Sequence, residues 1–229
     1  SLNMSPALIA DIFNQQVTSW DDPAIAELNP DVELPSTGIT PVNRSDESGT
    51  TENFVEYLFA AAPDNWPYEP DGNWPVPGGE SAQGNSGVVQ ATAAGEGSIV
   101  YADASQIGDL GTVAVGVGDE FVPYSTEAAA AVVNASGPAE GADPATGNLA
   151  IDLERDTTES GVYPIVLVSY HLACQSYDDA QTTANVKGFL EYVISEEGQQ
   201  AAADAAGSAP ITEESRAAHQ SAIDLIQTG

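Results

Sequence analysis

The residues with the clearest chemical potential lie together at positions 44–51, in the order Arg-Ser-Asp-Glu-Ser-Gly-Thr-Thr. Apolar residues at helical spacing follow directly, so the segment is expected to open an amphipathic helix. Such a helix start presents unpaired N–H groups, with Ser48 as the cap and Gly49 where the backbone can approach a ligand closely. The planar guanidinium of Arg44 suits a tetrahedral oxyanion, and Asp46 is placed to hold it. The pattern predicts an oxyanion-binding site.

The same pattern is also typical of an ordinary capped helix beside a surface ion pair. Such a pair is worth about 0–1 kcal/mol, so the local sequence leaves both interpretations open. No enzyme signature offers a third interpretation, because the chain shows no nucleophile with an adjacent base, no Walker loop and no dinucleotide fingerprint. With two histidines, one cysteine and no metal-ligand spacing, we expect no metal and no cofactor.

The charge balance restricts the partners that the chain can take. Its 229 residues include 35 acidic and 4 basic side chains, for a formal net charge of -31. Nucleic acids and anionic membrane surfaces are therefore disfavoured partners. An apolar content of 42% is sufficient for a buried core. Any anion site must use one of the few cations or the backbone dipoles.

Helix and strand signals alternate along the chain, which predicts an α/β fold. Residues 63–87 are expected to form an ordered surface loop with packed tryptophans, and residues 135–147 a mobile loop. The run at 163–172 has the length and composition of a buried strand. The main expected helices begin near residues 6, 23, 48, 87, 125, 186 and 213, and the other expected strands lie at 39–42, 98–101 and 112–117.

Taken as a whole, the chain resembles the PstS-type phosphate-binding proteins, the extracytoplasmic receptors of phosphate ABC transporters. Matching residues occur in the family's order across nearly all of the chain, at 8–14, 19–25, 28–30, 34–35, 44–51, 84–88, 97–101, 163–165, 198–199 and 209–210. The resemblance implies a type II periplasmic-binding-protein-like α/β fold, with two lobes and the ligand between them. It assigns residues 1–163 to the second, phosphate-motif lobe, and residues 164–229 to the hinge return strand and C-terminal helices of the first lobe.

The resemblance also implies roles for individual residues in the 44–51 segment. The positions that match the family's phosphate motif are Arg44, Ser48, Gly49 and Thr50, with Asp46 orienting the arginine and Thr51 in the same turn. One departure is Glu47, where the family usually has glycine. A second is that the family has an upstream segment that completes the binding shell. That segment supplies the acceptor that distinguishes protonated phosphate from sulfate.

The expected function is therefore extracytoplasmic, non-enzymatic binding of inorganic phosphate for an ABC transporter permease, at the periplasm or cell surface with an upstream membrane anchor. Further expected partners are that permease and a separate chain or segment that supplies the upstream part, while no nucleic acid is expected. Phosphate binding by this chain alone should be weak. The alternative is a ligand-free surface scaffold or interaction module derived from a phosphate-binding lobe.

Overall fold

The computed structural model describes residues 1–229 as an α/β protein with two compact units. Its helices are α1 (Pro6–Phe13), α2 (Pro23–Leu28), α3 (Gly49–Ala61), α4 (Gly84–Ala94), α5 (Thr126–Ala135), α6 (Ala180–Ile194), α7 (Glu196–Ala206) and α8 (Glu213–Asp224). Its strands are β1 (Leu2–Met4), β2 (Thr40–Arg44), β3 (Glu80–Ala82), β4 (Ser98–Val100), β5 (Val113–Val117), β6 (Glu120–Val122), β7 (Gly137–Pro138), β8 (Ile151–Asp152), β9 (Ser176–Tyr177) and β10 (Gln227–Thr228).

Both units are discontinuous in sequence. Unit 1 comprises residues 1–132 and 155–167, and unit 2 comprises residues 133–154 and 168–229. The sequence interpretation instead placed a single lobe boundary after residue 163.

The first two helices start where the sequence predicts. The Ser5 hydroxyl accepts a hydrogen bond from the Leu8 amide, and Pro6 occupies the first turn of α1. The Asp22 carboxylate caps α2 in the same way by accepting from the Ala24 amide. Each cap satisfies one donor that the helix start leaves unpaired, and such a cap is typically worth about 1 kcal/mol.

A three-stranded parallel sheet, in the order β3-β2-β4, holds the segment of chemical interest. Arg44 is the last residue of β2 and pairs in register with Ala82 at the end of β3. Because α3 and α4 begin just beyond those two strands, two helix N-termini lie near one edge of the sheet. The carboxyl edge of a parallel sheet is the usual place for a ligand in α/β proteins.

Pro41 was expected to mark an edge strand or a strand start. It is the second residue of β2, but β2 is the central strand of its sheet. The prediction of an edge strand was therefore wrong, and the prediction that Pro41 lies near a strand start was correct. A proline near the beginning of a strand removes only one N–H from the ladder, so the other four residues of β2 can still pair.

The core of unit 1 lies where α1 and α3 pack together with the neighbouring strands and the aromatic residues. Burying a large apolar side chain typically contributes about 1.5–3 kcal/mol. Trp66 confirms the prediction of a packed tryptophan in the 63–87 segment, but the end of that segment forms β3 and the start of α4 and is not a loop. Eight residues of this core have 0% exposure: Met4, Ala10, Ile12, Ile25, Val55, Tyr57, Leu58 and Trp66.

Residues 155–167 belong to unit 1 and are fixed to it by polar contacts. The Arg155 guanidinium binds the Glu56 carboxylate of α3 at 2.6 Å and donates to the Val166 carbonyl at 3.4 Å. The Tyr163 amide donates to the Ala128 carbonyl of α5 at 3.0 Å. The interactions of this segment thus connect α3 and α5.

The predicted hinge return strand at 163–172 is wrong for this structure. Residues 163–172 carry no regular secondary structure. Leu167 and Tyr170 are 52% and 48% exposed, and Leu172 is 97% exposed. A strand is stable only when a neighbour completes its hydrogen-bond ladder, and no strand of this chain pairs with these residues. The composition favoured a strand, but no partner strand is available to pair with it.

Unit 2 is built mainly from α6, α7 and α8, with the short pairs β7–β8 and β9–β10. The Asp179 carboxylate caps α6, and the Ser195 hydroxyl caps α7. The Arg216 Nε of α8 donates to the Ile194 carbonyl at 2.8 Å, which ties α8 to the end of α6. The segment expected to be a mobile loop contains β7 and one 3-10 turn, Pro144–Thr146. No helix is both long and apolar enough to cross a bilayer.

Gly97 supports the start of β4 in a way that no other residue can. Its φ is +77°, and a Cβ there would collide with the Gly38 carbonyl oxygen. Its own carbonyl accepts from Trp20 Nε1 at 2.9 Å and from the Thr40 amide at 3.1 Å. We expect Gly97→Ala to lower the free energy of unfolding by about 1–3 kcal/mol. Urea unfolding followed by tryptophan fluorescence measures this.

The matched control is Gly111→Ala, because a Cβ at Gly111 meets nothing within 4 Å. All three tryptophans lie in unit 1, so the signal reports on the unit that contains both glycines. Equal urea midpoints for the two variants would contradict the proposed role of Gly97.

Candidate functional site

Arg44 and Asp46 form a bidentate ion pair at the carboxyl end of β2. Arg44 Nε lies 2.8 Å from Asp46 Oδ1, and Arg44 Nη2 lies 2.6 Å from Oδ2. The arginine side chain is only 10% exposed, so it is not turned out to bulk water. The Gly84 amide, at the start of α4, also donates to Asp46 Oδ1 at 3.1 Å. Asp46 is therefore held from two sides and fixes the guanidinium in one orientation.

The ion pair stabilises the charged form of both partners. The hydrogen bond from Arg44 lowers the pKa of Asp46 well below its usual range, and the Gly84 amide lowers it further. The hydrogen bond to Asp46 raises the pKa of Arg44, against the opposing effect of burial. Because the folded-state pKa of Asp46 is depressed, its stabilising contribution is present above the unfolded value of about 3.9 and is lost only in stronger acid.

Arg44 lines an open cleft of about 360 Å³. Asp46 occupies the Nε side of the guanidinium, while Nη1 donates no hydrogen bond to the protein. The cleft therefore offers cationic N–H donors together with amide and hydroxyl groups. The other lining residues are Asn43, Ser45, Asp46, Asn73, Trp74, Val76, Gly78 and Ser81.

The N-terminus of α3 lies close by in sequence and presents free backbone donors. The Ser48 hydroxyl accepts from the Thr50 amide at 3.1 Å, and the Ser48 amide donates to the Gly72 carbonyl at 2.9 Å. The amides of Gly49 and Thr51 have no acceptor within the protein. Two of the amides expected to bind an anion are thus engaged, the Thr51 amide lies in a residue with 0% exposure, and only the Gly49 amide is accessible.

Ser48 and Gly49 line a second cleft, of about 430 Å³, that does not include Arg44. Its walls carry three carboxylates, those of Glu47, Glu52 and Asp71. Hydrogen bonds from the backbone and side chain of Asn73 lower the pKa of Asp71, so that this carboxylate remains charged. The structure therefore pairs Arg44 with Asp46 in the first cleft and places Ser48 and Gly49 in the second. The guanidinium and the serine line neighbouring clefts and not the same one. Thr50 lines neither cleft.

Tyr101, which sequence reasoning did not single out, joins the two parts of the motif. Its hydroxyl accepts from the Arg44 amide at 3.1 Å and lies 2.8 Å from the Thr51 hydroxyl. Thr51 has 0% exposure, so its side chain supports the scaffold. Burial raises the pKa of Tyr101, and its ring packs against both Phe54 and Trp74, at centroid distances of 4.8 and 5.3 Å. The matching run 97–101 contained this tyrosine, but no local pattern marked its hydroxyl.

The two histidines, by contrast, have local structural contacts. The ring of His171 meets that of Phe189 at 5.5 Å, and His219 Nδ1 lies 2.6 Å from the Ser215 carbonyl oxygen. The structure contains no group of three His, Cys, Asp or Glu side chains that could hold a metal ion.

Comparison with known protein families shows that most of the chain matches one family. Residues 1–197 match the family described as the PBP superfamily domain. The chain belongs to the PBP superfamily. Membership covers all of the residues that form the two clefts.

The curated relatives of this PBP-superfamily chain include mycobacterial phosphate-binding proteins. It is 34% identical to phosphate-binding protein PstS 3 of Mycobacterium tuberculosis (strain ATCC 25618 / H37Rv), over 99% of this chain and 61% of that protein. It is 37% identical to phosphate-binding protein PstS 3 of Mycobacterium leprae (strain TN), over 85% of this chain and 53% of that protein. The resemblance to PstS-type proteins is confirmed, and the chain spans less than two thirds of the length of these relatives.

Solved structures confirm the fold. A high-affinity periplasmic phosphate-binding protein, PfluDING, has a TM-score of 0.70 at 20% identity, over 95% of this chain and 64% of that chain. The phosphate-binding protein from Stenotrophomonas maltophilia has a TM-score of 0.66 at 21% identity, over 96% of this chain and 64% of that chain. The predicted type II periplasmic-binding-protein-like α/β fold is therefore correct.

The structural role of Tyr101 can be tested by removing its hydroxyl. We expect Tyr101→Phe to lower the free energy of unfolding by about 1–3 kcal/mol, because the Arg44 amide and the buried Thr51 hydroxyl lose a shared partner. The control is Tyr68→Phe, since the Tyr68 hydroxyl makes only a 3.4 Å contact with Asn14 Oδ1. Chemical unfolding monitored by circular dichroism compares the variants. A Tyr101→Phe protein as stable as the control would show that the hydroxyl does not support the motif.

Proposed function

We propose that this chain binds inorganic phosphate outside the cytoplasm, as part of a receptor that delivers phosphate to an ABC transporter permease. The observation that carries the proposal is the position of the Arg44 guanidinium. It is nearly buried, fixed by Asp46, and has Nη1 free beside a polar cleft at the carboxyl edge of a parallel sheet. A preorganised arginine loses little conformational entropy when it binds an oxyanion bidentately.

Within this proposal, α3 supplies the second group of donors. The phosphate oxygens bind the Gly49 amide and the hydroxyls of Ser48 and Thr50, while Asp46 orients the arginine and Thr51 lies in the same turn. The free N–H group of the exposed Gly49 supports this role. Since Arg44 and Ser48 line neighbouring clefts, the oxyanion has to lie at the boundary between them to meet both.

The proposed activity is binding without catalysis. The serine nearest to Arg44 in sequence is Ser45, and no histidine or carboxylate is hydrogen-bonded to its hydroxyl to act as a base. The names of the mycobacterial relatives support phosphate binding, and the periplasmic description of one structural neighbour supports the extracytoplasmic location.

We also propose that a separate chain or segment completes the receptor, with residues 1–163 contributing to the phosphate-motif lobe and residues 164–229 to the other. In unit 2, exposed apolar side chains support this partner. Tyr170, Leu172, Phe189 and Tyr192 are all at least 48% exposed. A soluble surface rarely leaves large apolar groups together unless another surface covers them.

The first test concerns Arg44. We expect Arg44→Lys to weaken phosphate binding about 10- to 100-fold, because an ammonium cannot replace the bidentate fork that pairs with Asp46 and faces the cleft. Isothermal titration calorimetry of the 229-residue chain with phosphate measures the change. The control is Arg216→Lys in unit 2, which should bind as the native chain does. Equal affinities for the two variants would contradict the proposed site.

The second test concerns the carboxylates near the free amides. We expect Glu47→Gln to strengthen phosphate binding about two- to fivefold at low salt, because one negative charge leaves the cleft that contains Ser48 and Gly49. The gain should shrink at high ionic strength. Glu27→Gln, which removes an exposed carboxylate on α2, is the control. A gain that does not depend on salt, or one that the control reproduces, would exclude this electrostatic explanation.

The alternative function is a ligand-free scaffold or interaction module. The three carboxylates around the α3 amides favour it, because they oppose an approaching anion. No phosphate-dependent heat in either the native chain or the Arg44 variant would support the scaffold over the receptor.

A further inference from the structure

A short flap, residues 70–73, lies at the boundary between the two clefts. Its first three residues line the cleft of Ser48, whereas Asn73 lines the cleft of Arg44. Because the change from one cleft to the other falls within the flap, this segment forms part of the wall between them. An anion that contacts both the arginine and the serine therefore has to lie where the flap is.

One backbone hydrogen bond fixes the flap to the start of α3. The Ser48 amide donates to the Gly72 carbonyl oxygen at 2.9 Å. The packing at this bond is tight, because a Cβ on Gly72 would lie 3.3 Å from Ser48 N and 3.0 Å from Glu47 Cγ. Ser48 is only 7% exposed, although its hydroxyl is expected to bind the anion. The flap thus occupies one N–H donor of the motif and covers the serine that carries it.

Few other contacts hold the flap. The bond to α3 is the only hydrogen bond between residues 70–73 and the rest of the protein, since the others run from Asn73 to Asp71 inside the flap. The tryptophans on either side are packed, because Trp66 is fully buried and its ring lies 5.4 Å from that of Trp74. Breaking one backbone bond therefore releases the flap and leaves the neighbouring core intact.

The flap has the chemistry of a weak internal ligand. The unpaired N–H groups at the start of a helix bind anions, and here the Gly72 carbonyl oxygen takes one of them. Asp71 lines the same cleft and its negative charge opposes an anion that enters. Both groups compete with an oxyanion for the same place.

We infer that the flap is an autoinhibitory contact, in which the Gly72 carbonyl holds the Ser48 amide until a tetrahedral oxyanion replaces it at the boundary of the two clefts. This inference rests on the proposed phosphate-binding function. It adds the Ser48 amide as a donor that becomes available only when the flap is displaced. Since part of the binding free energy is used to break the contact, the apparent affinity is lower than that of the open form.

Phosphate titration of the isotope-labelled full chain, followed by NMR, tests the displacement in the native protein. At saturation the Gly72 carbonyl carbon should shift upfield, because its oxygen loses the Ser48 N–H. The control is the Thr18 carbonyl, which accepts from the Ile39 amide at 2.9 Å beyond the other end of β2 and should not shift. A Gly72 resonance that moves no more than that of Thr18 overturns the inference.

Gly72→Ala loosens the same contact without removing a polar group. Its Cβ pushes against Ser48 and Glu47, so phosphate should bind about two- to tenfold more tightly in calorimetry. Gly111→Ala, whose Cβ meets nothing within 4 Å, is the control and should bind as the native chain does. Equal or weaker binding by folded Gly72→Ala overturns the inference. The measurement on the native chain decides even if this variant does not fold.

The outcomes separate the flap from the function on which it rests. Phosphate-dependent heat that requires Arg44, together with an unmoved Gly72 carbonyl resonance, overturns the autoinhibitory contact and leaves the proposed function standing. A native chain that gives no phosphate-dependent heat overturns both.

Discussion

The pairing of Arg44 with Asp46 is the interaction on which the candidate site depends. A lone guanidinium at the end of a strand samples many rotamers and loses that freedom when it binds. Here two parallel hydrogen bonds to Asp46, itself fixed by the Gly84 amide, remove most of this freedom in advance. The geometry follows from the sheet, because β2 and β3 are paired so that Arg44 lies opposite Ala82, two residues before Gly84.

Local geometry, and not the net charge of -31, decides whether an anion can bind. Charges beyond about 8–10 Å are largely screened at physiological ionic strength. The carboxylates that matter are therefore those in the same clefts. Asp46 neutralises Arg44 but leaves Nη1 free, whereas Glu47, Glu52 and Asp71 surround the α3 amides without a cation among them. The Arg44 cleft is consequently the more favourable place for negative charge.

The sequence located the candidate binding segment, but it did not reveal the residues that support that segment. The segment 44–51 could be recognised because a scarce arginine, a cap and a glycine occur at fixed spacing before a helical pattern. Tyr101 could not be recognised, because its role comes from contacts made by the fold. Tyr101 meets Thr51 across 50 positions of sequence. Asn43 should face away from Arg44 by strand alternation, yet it lines the same cleft. The strand at 163–172 was mistaken because composition shows strand propensity but not whether a partner strand is present.

The sequence by itself determined the family, the α/β class, the starts of the first helices and the position of the arginine motif, since these depend on residue type and near-neighbour spacing. Only the tertiary structure decided that β2 is central, that Tyr101 joins Arg44 to Thr51, and that the guanidinium and the helix amides line separate clefts. These features depend on the register between strands and on which side chains meet across long stretches of chain. Such contacts form only when the chain packs, so no local pattern encodes them.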